Sequence, residues 1–129
     1  MIPKKRIPAN ATQHKTAGPY SPVLIIDSKS MVVISGQSAI DMDGNIIGNT
    51  IEEQTVYTME NCRRALDTAR CTMADVFKVN VYLKDISDWS RFNEIYKTYF
   101  EEPFPVRTTV QVGLIAGLLV EIDLWAVGK

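Results

Sequence analysis

The chain has 129 residues, enough for a single domain over residues 1–129 with a sizeable buried core. Its 46% hydrophobic and 22% charged residues fit a globular protein, and a formal net charge of -1 gives nucleic acid no bulk electrostatic hold. No apolar run reaches the ~18 residues of a membrane span, and the start lacks the apolar core of a secretory signal, so a cytoplasmic protein is expected.

Residues 1–22 hold four of the six prolines and little periodicity, which reads as an irregular arm with Lys4-Lys5-Arg6 as a solvated tail. The arm ends in Ala17-Gly18-Pro19-Tyr20-Ser21-Pro22, where two prolines restrict the backbone and can present Tyr20 in a fixed direction. Val23–Asp27 and Met31–Gln37 are β-rich runs around Ser28-Lys29-Ser30, a hairpin signal. The second run ends in Ser35-Gly36-Gln37, where glycine permits close approach and the flanking side chains offer hydrogen bonds. Asp41-Met42-Asp43-Gly44-Asn45 is a turn, and Ile46-Ile47 adds a possible short strand.

Thr50-Ile51-Glu52-Glu53 matches a capping box and starts a helix predicted over 51–70. Met59, Cys62, Leu66, Ala69 and Met73 form its core stripe, so Cys62 reads as a small core hydrophobe. A strand follows over 75–83, with Phe77, Val79, Val81 and Leu83 opposite Lys78, Asn80 and Tyr82. Asp85-Ile86-Ser87-Asp88 offers a cap for a second helix over 89–100. Trp89, Phe92, Tyr96 and Tyr99 make its apolar stripe, read as core packing, with Asn93 beside it.

The last two apolar stretches each carry one charge that a structural strand does not need. Alternation sets Arg107, Thr109, Gln111 and Gly113 opposite Val106, Thr108, Val110, Val112 and Leu114. It likewise sets Leu119, Glu121, Asp123, Trp125 and Val127 opposite Leu118, Val120, Ile122, Leu124 and Ala126. If the two strands pair as a hairpin with Glu121 opposite Thr109, Arg107 is a diagonal neighbour of Glu121 and the two charges share one region. That region suits an anionic small molecule.

The order β-β-(β)-α-β-α-β-β implies an α+β fold, a mostly antiparallel sheet with two helices on one face. The other face is expected to carry Lys78, Asn80, Tyr82, Arg107, Thr109, Gln111, Glu121 and Trp125. The greasy connector Leu114-Ile115-Ala116-Gly117-Leu118-Leu119 suggests burial against another subunit, hence a homo-oligomer. Two cysteines at this spacing and a single histidine, His14, give no metal centre, and no phosphate-cradling or dinucleotide motif is present.

Gly18-Pro19-Tyr20, Ser35-Gly36-Gln37, the helix with Asn93, Pro105-Val106-Arg107 and Val120-Glu121-Ile122, in this order over nearly the whole chain, resemble the Rid family of reactive-intermediate deaminases, also called YjgF-like or L-PSP proteins. The resemblance implies a chorismate-mutase-like α+β fold and a homotrimer with sites in clefts between subunits. It implies hydrolysis of 2-imino or enamine acids, such as 2-iminobutanoate and 2-iminopropanoate, to 2-keto acids and ammonia, with no cofactor and no metal. By the same resemblance Arg107 binds the substrate carboxylate, Glu121 holds the attacking water, and Tyr20, Ser35, Gly36, Asn93 and Thr109 line the pocket. Thr109 departs from the cysteine of the best-known deaminases, and Arg70 stands where many relatives have glycine.

The chemistry agrees with the residue types: arginine takes a carboxylate through two parallel charge-assisted hydrogen bonds, and a glutamate can orient or deprotonate water. Two other readings compete. One is a non-catalytic sensor of a keto acid or amino acid; the other is a deaminase for a larger enamine such as 2-aminomuconate. Ribonuclease activity, ascribed to some relatives, is opposed by the absence of a basic stripe and of a histidine pair. No nucleic-acid or membrane partner is expected.

Overall fold

The computed structural model describes residues 4–129. Two-residue strands β1 (Lys5–Arg6) and β2 (Ile25–Ile26) pair antiparallel. The remaining elements are β3 (Met31–Ser38), α1 (Ile51–Thr68), β4 (Val76–Leu83), α2 (Trp89–Tyr96), β5 (Val106–Gln111) and β6 (Val120–Val127). The main sheet runs β3-β6-β4-β5. β6 is antiparallel to both β3 and β4, while β5 joins the edge of β4 in parallel. The α+β class and the two helices on one face are as expected.

The hairpin of the last two strands does not form. β4 lies between β5 and β6, because the β4–α2–β5 crossover returns the chain parallel to β4 and leaves β6 to fill the centre. β2 likewise pairs with β1 rather than folding onto β3 around Ser28-Lys29-Ser30. The basic cluster is anchored rather than solvated. Lys4 Nζ donates to the Gly128 carbonyl at 2.9 Å, Lys5 Nζ to the Val76 carbonyl at 2.8 Å, and Arg6 pairs with Asp27. Of Ile46-Ile47 only a single bridge remains, Ile40 to Ile46.

Helix α1 begins where the capping box puts it: Glu53 N–H donates to Thr50 Oγ1 at 3.1 Å, and Thr50 N–H to the Glu53 carboxylate at 3.2 Å. Its stripe of Met59, Cys62 and Leu66 is fully buried against Val79, Val81, Ile122 and Leu124 of the sheet and Phe92 and Tyr96 of α2. Burial pushes the Cys62 thiol up to about 12, so it is an inert core group at neutral pH. After α1, Arg70 adopts φ 61°, the left-handed position that glycine would take without strain. α2 is shorter than the sequence suggests, ending at Tyr96 in a tighter turn over Lys97–Tyr99.

One buried side chain ties the loop before α1 to the connector before β6. Gln54 donates through Nε2 to the carbonyls of Gly117 at 2.8 Å and Gly48 at 3.1 Å, and its Oε1 accepts from Leu119 N–H at 2.8 Å. This fixes the connector into β6, whose tip Ile115 is exposed. Gln54→Leu strands these groups and is expected to cost about 3 kcal/mol in urea unfolding, at ~1–3 kcal/mol for each buried polar group left unpaired. A loss below about 1 kcal/mol would show that water replaces the staple.

Candidate functional site

The arm that carries Tyr20 is stitched to the chain entering β5. Ser21 N–H donates to the Pro105 carbonyl at 3.1 Å, and the Ser21 hydroxyl to the Phe104 carbonyl. Upstream, the arm crosses α2 at contact distance. A Cβ on Gly18 would lie 2.9 Å from Trp89 Cζ2 and 3.2 Å from Asn93 Nδ2, so only glycine fits. These two constraints bring Tyr20, Asn93 and Arg107 together.

Arg107 pairs with Val79 across β5 and β4, and Val79 pairs with Leu124, so all three point toward the helices. Arg107, Thr109 and Gln111 therefore occupy the helix-side face, not the open face expected from the sequence. The guanidinium lies among four aromatic rings. The distances from Arg107 Cζ to the ring centroids are 4.9 Å for Tyr96, 5.2 Å for Tyr20, 5.6 Å for Phe92 and 5.9 Å for Trp89. Its Nε, Nη1 and Nη2 are sealed from solvent and have no hydrogen-bond partner among the described residues. The same holds for Thr109 Oγ1, Asn93 Oδ1 and the Tyr96 hydroxyl. Burial lowers the Arg107 pKa from its ordinary value, with Tyr96 and Tyr20 opposing the shift; an arginine still remains cationic at neutral pH. A cavity of 450 Å³ is bordered by Tyr20, Ser21, Lys78 and Arg107.

Glu121 lies on the other face of the sheet. It pairs with Tyr82 across β6 and β4 and with Ser38 across β6 and β3. The Ser38 hydroxyl donates to Glu121 Oε1 at 3.4 Å, a long bond. Gly36, at the bulge in β3, runs beneath the carboxylate: a Cβ there would lie 2.8 Å from Glu121 Oε2. Ser35 is exposed beside it. Next along this face, Asp123 accepts from Tyr82 Oη and Asn80 Nδ2, both at 2.9 Å, and the first of these bonds raises the Tyr82 phenol.

The seven residues singled out by sequence thus form two groups. Tyr20, Asn93, Thr109 and Arg107 lie on the helix side, and Ser35, Gly36 and Glu121 on the open side. Within one chain Arg107 and Glu121 do not share a region, because β4 separates their strands and the pleat turns them to opposite faces. The aromatic wall of Arg107 went unread as such: Trp89, Phe92 and Tyr96 were legible as a stripe at helical spacing, but its packing on a cation was not. Ser38 and Ser21 carried no sequence signal.

A larger cavity, of 640 Å³, lies between the end of α1 and residues 98–103. It contains neither Arg107 nor Glu121, and its Arg63 is already paired with Glu60 at 3.5 Å and stacked on Tyr99. Exposed His14 bonds Thr16 at 2.9 Å and takes no part in either group. Among the described residues, no cluster of three or more His, Cys, Asp or Glu side chains could hold a metal, and no helix is long and apolar enough to cross a membrane.

Gly36→Ala is expected to turn the Glu121 carboxylate away while costing less than about 1 kcal/mol, since the atom met is the end of a flexible side chain. A crystal structure of the variant checks this; an unmoved Glu121 would contradict it.

The model of the endoribonuclease L-PSP family matches residues 10–128. The mitochondrial protein mmf2 of Schizosaccharomyces pombe is 38% identical over 110 residues, covering 85% of each chain. Human 2-iminobutanoate/2-iminopropanoate deaminase is 33% identical over 125 residues, covering 95% of this chain and 90% of its own. Among solved structures, a Yersinia pestis protein described as a member of the conserved Rid protein family, YyfA, superposes with a TM-score of 0.73 at 35% identity, covering 88% of this chain and 90% of its own. The chain therefore belongs to the endoribonuclease L-PSP family, the Rid or YjgF-like proteins.

Proposed function

We propose that the protein hydrolyses small 2-imino acids, such as 2-iminobutanoate and 2-iminopropanoate, to 2-keto acids and ammonia. The observation that carries this reading is the Arg107 guanidinium, a buried cation whose three nitrogens have no partner among the described residues. A planar carboxylate is the ligand that satisfies it, through paired N–H···O bonds. The carboxylate approaches from the side of Tyr20. That ring is the one wall carried by irregular chain, and it borders the 450 Å³ cavity together with Arg107. The likeness to a relative named as an imine deaminase supports the same chemistry.

Hydrolysis adds water to C2 of the protonated imine, gives a carbinolamine, and expels ammonia as the keto group forms. Glu121 takes the proton from the attacking water and returns it to the carbinolamine nitrogen, which leaves as ammonia while the hydroxyl gives up its proton and C=O forms. Arg107 and Glu121 lie on opposite faces of one sheet, so the reading requires that they come from two copies of the chain. The open face, with Glu121, Asp123 and Trp125 and with exposed Met31 and Val33, is where a second copy would seat. A homotrimer with three shared sites is the assembly proposed. Thr109, with its unpartnered hydroxyl, and Asn93, with its unpartnered carbonyl, are suited to bond the imine nitrogen.

The test is the rate of semicarbazide-trapped turnover when 2-iminobutanoate is generated by an amino-acid oxidase. Arg107→Ala and Glu121→Ala are each expected to lose roughly 10- to 100-fold or more, the equivalent of ~1.5–3 kcal/mol for a charged hydrogen-bond pair. Turnover by the wild type no faster than the uncatalysed reaction, with a keto acid still bound through Arg107, would move the protein to a ligand sensor.

A further inference from the structure

We infer that the Trp89–Phe92–Tyr96 stripe of α2 is the positioning device for the Arg107 guanidinium: ring faces, rather than a carboxylate, hold the cation in place. The inference rests on the carboxylate-binding reading of Arg107 and adds the residues that make it work.

An arginine whose guanidinium nitrogens are sealed from solvent ordinarily has a carboxylate or carbonyl partner. Arg107 has neither among the described residues, and its neighbours are four π faces within 6 Å, the range in which the ring quadrupole attracts a cation. Three of them come from positions i, i+3 and i+7 of one short helix, which puts them on one face and aims them at one point. Phe92 and Tyr96 are fully buried and stack on each other at 5.4 Å, and Tyr96 meets Phe100 at 4.8 Å, so the seat is rigid.

The chemical consequence is specific. A carboxylate partner would consume guanidinium N–H donors and cancel the charge, leaving little for a ligand. Ring faces do neither. They stabilise the cation from the side and leave all its donors to the ligand. Without the rings the side chain would rotate toward water, and apparent affinity would fall with the seated fraction.

The experiment replaces Phe92 by pentafluorophenylalanine through site-specific incorporation, which keeps the ring's shape and reverses its quadrupole. Four quantities are read: Kd for 2-ketobutanoate by calorimetry, the KM and kcat of imine turnover, and the Arg107 Hε resonance in the ligand-free protein. The expected result is a Kd and KM raised about threefold to tenfold with kcat less affected, as loss of one cation–π contact implies. The Hε resonance should shift as the guanidinium leaves its seat among the rings. At position 96, Tyr96→Leu should raise KM, and Tyr96→Phe, which keeps the ring, should bring it back toward the wild-type value. Unchanged Kd, KM and Hε in the pentafluoro variant would overturn the inference and leave the stripe as packing. If Arg107→Ala itself fails to weaken 2-ketobutanoate, the carboxylate-binding reading has failed, and the inference falls with it.

Discussion

A guanidinium held away from water, with no hydrogen-bond partner among the described residues, is the constraint around which this molecule is arranged. Leaving buried donors unpaired costs ~1–3 kcal/mol apiece, more when the group is charged. A cation–π contact returns only ~0.5–2 kcal/mol. Four rings offset part of the cost of burying Arg107 but supply none of its N–H donors with an acceptor, and the carboxylate of the proposed substrate would do so. The close crossing of Gly18 over Trp89, the stitching of Ser21 to the chain before β5, and the aromatic face of α2 all converge on this one side chain.

The second constraint is the place of β4. Because the β4–α2–β5 crossover is parallel, β5 becomes an edge and β6 becomes central. Arg107 then faces the helices, and Glu121 faces the open side. Neither placement is incidental to packing: Arg107 lies in register with the buried residues Val79 and Leu124, and Glu121 with Tyr82 and Ser38. Under the proposed function, in which Arg107 binds the carboxylate and Glu121 holds the water, the two would meet only across an interface between copies. The open face presents Glu121 and Asp123 beside the exposed apolar side chains Met31 and Val33.

Much of this was legible in the residues. Thr50 and Glu53 announced α1 because a reciprocal cap is a local device. The alternation of β6 announced a half-buried strand because pleating is local too. Pairing is not local. The short greasy connector between β5 and β6 resembled a hairpin loop, and only the crossover through α2 shows why β5 lies elsewhere. The alternation of β6 shows which face it buries but not which strands lie at its two edges. Periodicity alone did not rank a central β6 above a hairpin. Tyr20, Asn93, Arg107 and Glu121 stood out as chemistry-bearing side chains, whereas Trp89, Phe92 and Tyr96 did not, since an aromatic stripe at helical spacing looks the same whether it covers a core or a cation.

The most direct measurement is subunit complementation. Arg107→Ala and Glu121→Ala chains are co-expressed, the mixed assemblies are purified with two tags, and imine hydrolysis is compared with each parent. A site shared between copies should regain activity in the mixture, since one of the three sites in each mixed trimer, about a third, holds both native side chains. Mixtures as inactive as their parents, from assemblies shown to be mixed, would contradict a site built from Arg107 of one chain and Glu121 of another.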